Sequence, residues 1–155
     1  MKKNKLIKKN FNIIFIGGNT FGQDNPFLNF AKICQSNNID FTLITSKKRV
    51  NYPTSNGNSL RKELINKNYN FYIKNKIELN FLKKISNNNS IIFSLSSMFI
   101  IPNNVIEHFK NKIFNYHNIS VKNFRGAGCH SWRIMQNVNK TTINIHKLTN
   151  VIDDG

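Results

Sequence analysis

The stretch Phe11-Asn-Ile-Ile-Phe-Ile-Gly17 is a compact apolar run that ends at a pair of glycines. A short apolar run bounded by a turn signal predicts a buried β-strand. Apolar side chains at helical spacing follow, from Phe27 to Cys34, so residues 24–36 are predicted to form an amphipathic helix. A buried strand followed by a helix is the repeating unit of α/β proteins.

The same alternation continues along the chain. Five further strands are predicted at 40–44, 69–73, 90–94, 113–117 and 141–148, and four further helices at 60–67, 77–85, 102–109 and 126–138. Residues 141–148 alternate polar and apolar side chains, which is typical of a half-exposed, antiparallel strand. The sequence therefore predicts an α/β protein with a Rossmann-like, mostly parallel sheet and helices on both faces.

Length and charge limit the domain organisation. The chain has 155 residues, which fits one domain over residues 11–155, preceded by a basic tail at residues 1–10. Its net charge is +16, and 19 Lys, 29 Asn and 22 Ile share A/T-rich codons, so nucleotide bias is one explanation of the charge. The other is attraction to anions, which leaves a basic nucleic-acid-binding domain as an alternative function.

The two cysteines, Cys34 and Cys129, lie far apart and match no structural zinc spacing. We therefore expect reduced thiols and no metal ion. No apolar stretch approaches the roughly 20 residues that a membrane-spanning helix needs. A soluble cytoplasmic protein with no membrane contact is the expectation.

The triplet Asn115-Tyr116-His117 is the most informative chemical signal. Residues two apart on a strand share a face, so Asn115 and His117 are predicted to point the same way. The carboxyl ends of parallel strands are where α/β sheets bind ligands. There a histidine can move a proton and an asparagine amide can donate a hydrogen bond to a developing oxyanion. The simpler interpretation is two polar residues at a strand end.

Three other features of the sequence have two interpretations each. Residues 17–22 follow the first strand and are either a plain turn or a phosphate-binding loop. Trp132, Met135 and Val138 share one side of the predicted helix, where we expect them to pack in the core; the alternative is a platform on which a nucleic-acid base stacks. His146 lies on the polar face of the last strand, where it either supports the fold or lines the cleft.

The last third of the chain resembles the folate-dependent formyltransferases, which include enzymes acting on methionyl-tRNA, phosphoribosylglycinamide and nucleotide-linked amino sugars. The resemblance rests on the N-x-H triplet, on Gly126 eleven residues after Asn115, and on Asp153 seven residues after His146. It extends more loosely upstream, to the strand at 11–17 and to the segment 94–102. It implies the Rossmann-like catalytic domain of that family.

The resemblance implies formyl transfer from 10-formyltetrahydrofolate to a primary amine, with three catalytic residues. Asn115 would stabilise the formyl oxygen, His117 would accept or relay the proton of the attacking amine, and Asp153 would hold the imidazole or a bridging water. The backbone at Met98, Phe99, Ile100 and Val151 would face the folate, and Arg125 and Gly126 would contact the amine substrate.

The residues around Arg125 are most similar to those of the enzymes that act on nucleotide-linked 4-amino sugars for surface polysaccharides. Methionyl-tRNA and phosphoribosylglycinamide are the alternative acceptors, and a homodimer is compatible with the resemblance. The chain departs from the family at residues 119–122, where the serine and proline of the family pattern are missing. It also stops directly after the Asp153 turn, so we expect a catalytic domain that is incomplete at its C-terminal end, either a fragment or a decayed copy.

Overall fold

The computed structural model describes residues 11–18, 26–117, 131, 134–139 and 143–151. Its strands are β1 (Asn12–Gly17), β2 (Asp40–Ser46), β3 (Phe71–Lys74), β4 (Ile91–Leu95), β5 (Ile113–His117) and β6 (Asn144–Lys147). Its helices are α1 (Pro26–Ser36), α2 (Leu60–Asn66), α3 (Leu79–Ile85) and α4 (Asn103–His108), with a single 3-10 turn at Arg49–Asn51. The predicted alternation of strands and helices is confirmed.

The six strands form one sheet in the order β3-β2-β1-β4-β5-β6. Strands β1 to β5 are parallel, and β6 runs antiparallel to β5 at the edge. The direction in which strands are added reverses between β1 and β4. Strands β2 and β3 lie on one side of β1, and β4, β5 and β6 lie on the other. In doubly wound sheets the crevice at such a reversal, at the carboxyl ends of the strands, is the usual ligand site.

Helices cover both faces of the sheet, as predicted. On one face α1 and α2 pack on alternate sheet residues such as Phe15, Leu43 and Leu95. On the other, α3 and α4 pack on the alternating set that includes Ile14 and Ile92. Because side chains of a strand alternate between faces, this division assigns every residue of β5 to a side.

Asparagine ends two of the helices in the role that glycine usually has. Asn38 follows α1 with φ 53°, and Asn68 follows α2 with φ 52°, both in the left-handed region. After α2 the Asn68 N–H donates to the carbonyl of Ile65 and the Tyr69 N–H to that of Leu64, the hydrogen-bond pair of a Schellman motif. The abundant asparagine therefore supplies helix ends in a chain with only 7 glycines.

Two local predictions are wrong. The helix predicted to reach residue 138 is not helical from 136 onward, and Met135 and Val138 are exposed rather than packed in the core. Pro102 precedes α4 as its N-cap instead of lying within its first turn. The rest of the predicted helix at 126–138, including Trp132, lies outside the described residues apart from 131 and 134–135.

Strand β6 is antiparallel, as predicted, but its buried side is the polar one. His146 is only 9% exposed, whereas Ile145 is 54% exposed. Ile145 borders an apolar hollow of about 210 Å³ beside α1, which leaves its side chain partly open. The histidine faces the opposite side of the sheet, where a polar residue of β5 lies beside it.

Candidate active site

A cleft of about 540 Å³ opens at the carboxyl ends of β4 and β5. This volume lies within the range of roughly 300–1,000 Å³ that is usual for small-molecule sites. Its walls come from the ends of the two strands, the segment between β4 and α4, the start of α4, and residues 148–151. The lining residues are Ser94, Ser96, Ser97, Phe99, Ile100, Ile101, Asn103, Ile106, Asn115, Tyr116, His117, Leu148, Thr149, Asn150 and Val151.

Asn115 and His117 both line this cleft. They lie two residues apart on β5, on the face that carries α3 and α4, while Phe114 and Tyr116 point to the other face. There Phe114 stacks on Phe93, with ring centroids 5.6 Å apart. The aromatic pair anchors β5, and the amide and imidazole are held at its carboxyl end. This arrangement places a hydrogen-bond donor and a group able to accept a proton in one partly apolar space.

His146, whose role the sequence interpretation left undecided, lies beside Asn115 on the neighbouring strand. It pairs with Asn115 across β5 and β6, and its Nε2 lies 3.3 Å from the Asn115 Nδ2. Its Nδ1 lies 3.1 Å from the carbonyl oxygen of Lys147. The signal that could have found it is the alternation of residues 141–148 together with the register against β5, and the register cannot be read from local sequence.

The segment between β4 and α4 forms one wall of the cleft. Residues 96–101 belong to neither helix nor strand, and Ser96 has a φ of 50°, which turns the chain sharply after β4. The Phe99 N–H donates to the Ser97 hydroxyl oxygen at 3.0 Å, and Phe99 packs against the core beneath it. Ile100 is 92% exposed at the rim.

Three of the four residues predicted to face a folate, Phe99, Ile100 and Val151, line the cleft. Met98 is exposed and is not among the lining residues. Asp153, predicted to complete the catalytic group, lies outside the described residues, as do Arg125 and Gly126. The structure therefore brings together the amide and the imidazole of the predicted site.

Gly17, the last residue of β1, and the next residue Gly18 are both required by close packing. A Cβ on Gly17 would clash with the backbone carbonyl of Leu95, and one on Gly18 would lie 2.8 Å from the Thr45 hydroxyl. Both glycines therefore let β1 approach its two neighbours at the point where the sheet reverses. Residues 19–22, the remainder of the predicted turn or phosphate loop, lie outside the described residues.

Among the residues that the structure describes, the two groups with a shifted pKa, Cys34 and Tyr69, lie on the far face of the sheet from Asn115. Burial raises the pKa of the Cys34 thiol above its ordinary value of 9.0. Burial, and then the nearby Cys34 charge, raises the pKa of Tyr69 above 10.0. Both side chains belong to the core beneath α1 and α2, so they bear on stability.

The described residues contain neither a cluster of metal ligands nor a membrane-spanning helix. In residues 11–18, 26–117, 131, 134–139 and 143–151, no three His, Cys, Asp or Glu side chains cluster as metal ligands. In the same parts of the chain no helix is long and apolar enough to cross a bilayer.

Solved structures share this architecture. Phosphoribosylglycinamide formyltransferase from Anaplasma phagocytophilum superposes with a TM-score of 0.69 at 14% identity, over 95% of this chain and 69% of that one. A formyltetrahydrofolate deformylase from Pseudomonas syringae pv. tomato gives 0.69 at 13% identity, over 96% of this chain and 49% of that one. The formyltransferase PseJ from Anoxybacillus kamchatkensis gives 0.58 at 17% identity, over 93% and 56%.

The PseJ structure contains UDP-4,6-dideoxy-4-formamido-L-AltNAc and tetrahydrofolate. No protein-family model matches the present sequence, and no curated protein matches it. Because the identities are below 20%, these likenesses show the fold alone. The chain has the α/β fold that folate-dependent formyltransferases and formyltetrahydrofolate deformylases share.

Proposed function

We propose that this protein transfers a formyl group from 10-formyltetrahydrofolate to a primary amine. The observation that carries the proposal is the pair Asn115 and His117, side by side in the cleft at the carboxyl end of β5. The fold shared with folate-dependent formyltransferases and deformylases supports it. The spacing from Asn115 to Gly126 and from His146 to Asp153 adds support from the sequence.

The proposed chemistry divides into two tasks. The amine nitrogen forms a bond to the formyl carbon, the bond from that carbon to N10 of the folate breaks, and the proton lost by the amine passes to N10. Asn115 donates a hydrogen bond to the formyl oxygen as negative charge grows on it. His117 accepts the amine proton and returns it to the leaving nitrogen, with Asp153 as the proposed partner of its imidazole.

The residues of the cleft fit a reduced folate. The irregular backbone of 96–101 offers amide and carbonyl groups that are not used in a helix or strand, which suits the hydrogen-bonding edge of a pterin. Phe99 and Ile101 provide apolar surface for the ring. We assign this wall, together with residues 148–151, as the place where the folate would lie, and the formyl group is the chemistry that the folate supplies.

The acceptor that we favour is the amino group of a nucleotide-linked amino sugar used for surface polysaccharide synthesis in the cytoplasm. The residues around Arg125 and Gly126 support it, and PseJ offers a sugar formyltransferase with the same fold. Phosphoribosylglycinamide and methionyl-tRNA remain the alternative acceptors. A homodimer is part of the same proposal.

The test is a transfer assay on the full chain with 10-formyltetrahydrofolate and a panel of UDP- and dTDP-linked 4-amino sugars, glycinamide ribonucleotide and methionyl-tRNA. We expect tetrahydrofolate to appear only when an amine is present, with mass spectrometry showing the formylated acceptor. Formate release without any amine would identify a hydrolase instead. No turnover and no binding of tetrahydrofolate, in a chain with a cooperative unfolding transition, would refute the proposal.

A further inference from the structure

Asn115 can serve as a donor to the formyl oxygen only if its amide presents nitrogen, not oxygen, to the cleft. A free carboxamide rotates about its terminal bond, and its two ends are nearly equal in size. Something must therefore set its orientation. The group closest to its Nδ2 on the neighbouring strand is the imidazole of His146, at 3.3 Å.

The position of His146 follows from strand register. In the antiparallel pair of β5 and β6, Asn115 lies directly opposite His146, so the two side chains leave the same face of the sheet. His146 is 9% exposed and is held on its other side, where Nδ1 lies 3.1 Å from the Lys147 carbonyl oxygen. The imidazole is thus fixed at both nitrogens.

Hydrogen-bond chemistry then determines which nitrogen carries the proton. A carbonyl oxygen only accepts, so Nδ1 must donate to Lys147 and carries the hydrogen. In the neutral imidazole Nε2 is then an acceptor, and of the two ends of the Asn115 amide the NH2 end is the one that can donate to it. With the amide reversed, its oxygen would face the Nε2 lone pair and the two acceptors would repel.

We propose that His146 is a positioning residue that orients the Asn115 amide for formyl transfer, an inference that rests on the function proposed above. One N–H of the amide donates to the His146 Nε2, which leaves the other N–H directed away from β6. The tautomer of an imidazole that is not among the cleft-lining residues therefore selects the orientation of the amide that is. The relay runs from the Lys147 carbonyl through His146 to Asn115.

The direct test is nitrogen NMR on the ligand-free ¹⁵N-labelled protein, and it does not depend on activity. We expect the His146 nitrogen shifts to report a protonated Nδ1 and a bare Nε2. We also expect a scalar coupling across the hydrogen bond between the Asn115 Nδ2 and the His146 Nε2. An Nε2-protonated tautomer, or a fully resolved spectrum without that coupling, would overturn the inference.

The kinetic test compares two substitutions at the same site. His146→Gln places an amide oxygen near the position of Nε2 and keeps an acceptor, whereas His146→Leu fills the space without one. Groups that orient metal ligands typically contribute 10- to 100-fold to activity, and by the same reasoning we expect kcat of His146→Leu to fall by about that factor with KM within about twofold. His146→Gln should recover most of kcat, and His108→Gln, an exposed histidine of α4, is the matched control.

These outcomes separate the two proposals. Wild-type protein that neither transfers a formyl group nor binds tetrahydrofolate would refute the proposed function, while the NMR measurement would still decide whether His146 orients Asn115. Full kcat in His146→Leu, a loss confined to KM, or equal losses in both variants would each show that the acceptor at Nε2 does not set catalysis. If His146→Leu fails to unfold cooperatively, the His146→Gln kinetics and the NMR coupling decide alone.

Discussion

Asn115 and His117 occupy equivalent positions on β5 but offer different chemistry. An amide donates hydrogen bonds without titrating in the physiological range, whereas an imidazole gains and loses a proton there. Their separation by one residue places both on the same face at the carboxyl end of one strand. The strand therefore places a hydrogen-bond donor and a group able to accept a proton at one point, and each can be removed separately.

Substitution of either residue should leave the fold intact and reduce turnover. Asn115→Ala should lower kcat by about 10²–10³, the cost of removing one oxyanion donor. Asn115→Asp should lose as much because its carboxylate only accepts, and His117→Ala should lose about 10²–10⁴, the usual contribution of a general acid–base group. Steady-state kinetics and urea unfolding of the same samples test this, with His108→Ala as the control. An unchanged kcat in any one variant removes that residue from the mechanism.

At the same scale, Cys34 and Tyr69 couple stability to alkaline pH. Burial raises the pKa of both above their ordinary values, so the folded state favours the protonated forms. Their contribution is complete below the pKa of the unfolded groups and is lost as pH rises past about 9. We expect the free energy of unfolding in urea to fall as pH rises above about 9, and to fall less in Cys34→Ala/Tyr69→Phe. Parallel pH profiles for the two proteins would contradict this.

Among the secondary-structure elements, two helices end at an asparagine in the left-handed conformation, and these helix ends contribute to stability. Asn68 closes α2 with φ 52°, and its N–H and that of Tyr69 satisfy two carbonyls of the last turn. The left-handed region costs a residue with an ordinary side chain about 1–2 kcal/mol, and asparagine less, because its side chain can form local hydrogen bonds. Part of the high asparagine content therefore has a structural role at these positions.

Asn68→Ala should consequently destabilise the protein by about 1 kcal/mol. Asn66→Ala, an exposed position inside α2, is the matched control and should be neutral or stabilising by a few tenths of a kcal/mol, because alanine has the higher helix propensity. Asn68→Gly should be at least as stable as the wild type. Urea unfolding measures all three, and equal stabilities for Asn68→Ala and Asn66→Ala would refute the assignment.

Secondary-structure elements whose own sequence pattern indicates their type and burial could be predicted from the sequence. Strands β1 and β4 each contain a short continuous apolar run, residues 13–16 and 91–93, and their burial on both faces needs no knowledge of their neighbours. The buried side of β6 depends on its register with β5, and there the polar His146 is buried because Asn115 lies opposite. Val138 shows the same limit, since helical spacing predicts a shared side but not whether anything covers it.

The candidate site was predictable to the extent that it lies on one strand. Asn115 and His117 follow from the period of two residues and from the rule that ligands bind at carboxyl ends of parallel strands. Residues within 96–101 were predicted to belong to the site only because their sequence is similar to a segment of the formyltransferase family. One of the residues predicted in this way, Met98, is not among those that line the cleft. A wall made of irregular backbone has no periodic pattern in its sequence. The sequence therefore does not indicate which of its residues face the cleft and which face away from it.

At the scale of the whole molecule, the net charge of +16 is the property most open to a competing function. A nucleic-acid-binding domain concentrates its cations on one face or along one groove. In the described residues the lysines are distributed over elements on both faces of the sheet, for example Lys32 on α1, Lys62 on α2 and Lys83 on α3. Within the same residues one ion pair is formed, between Lys76 and Glu78 at 2.9 Å, and both partners are exposed.

A diffuse charge of this kind predicts weak binding to any polyanion, with no sequence preference. We expect duplex DNA and single-stranded RNA to bind with dissociation constants of about 10⁻⁴–10⁻⁶ M near physiological salt, the usual range of non-specific binding. The affinity should fall steeply as salt rises, because counterion release drives it.

Tetrahydrofolate, which we propose binds mainly to the uncharged walls of the cleft, should raise the free energy of unfolding by about 2.7 kcal/mol at 100 times its dissociation constant, with little dependence on salt. Filter binding and thermal unfolding across one salt series measure both, and nanomolar, sequence-selective nucleic-acid binding without a folate effect would favour the nucleic-acid-binding domain over the enzyme.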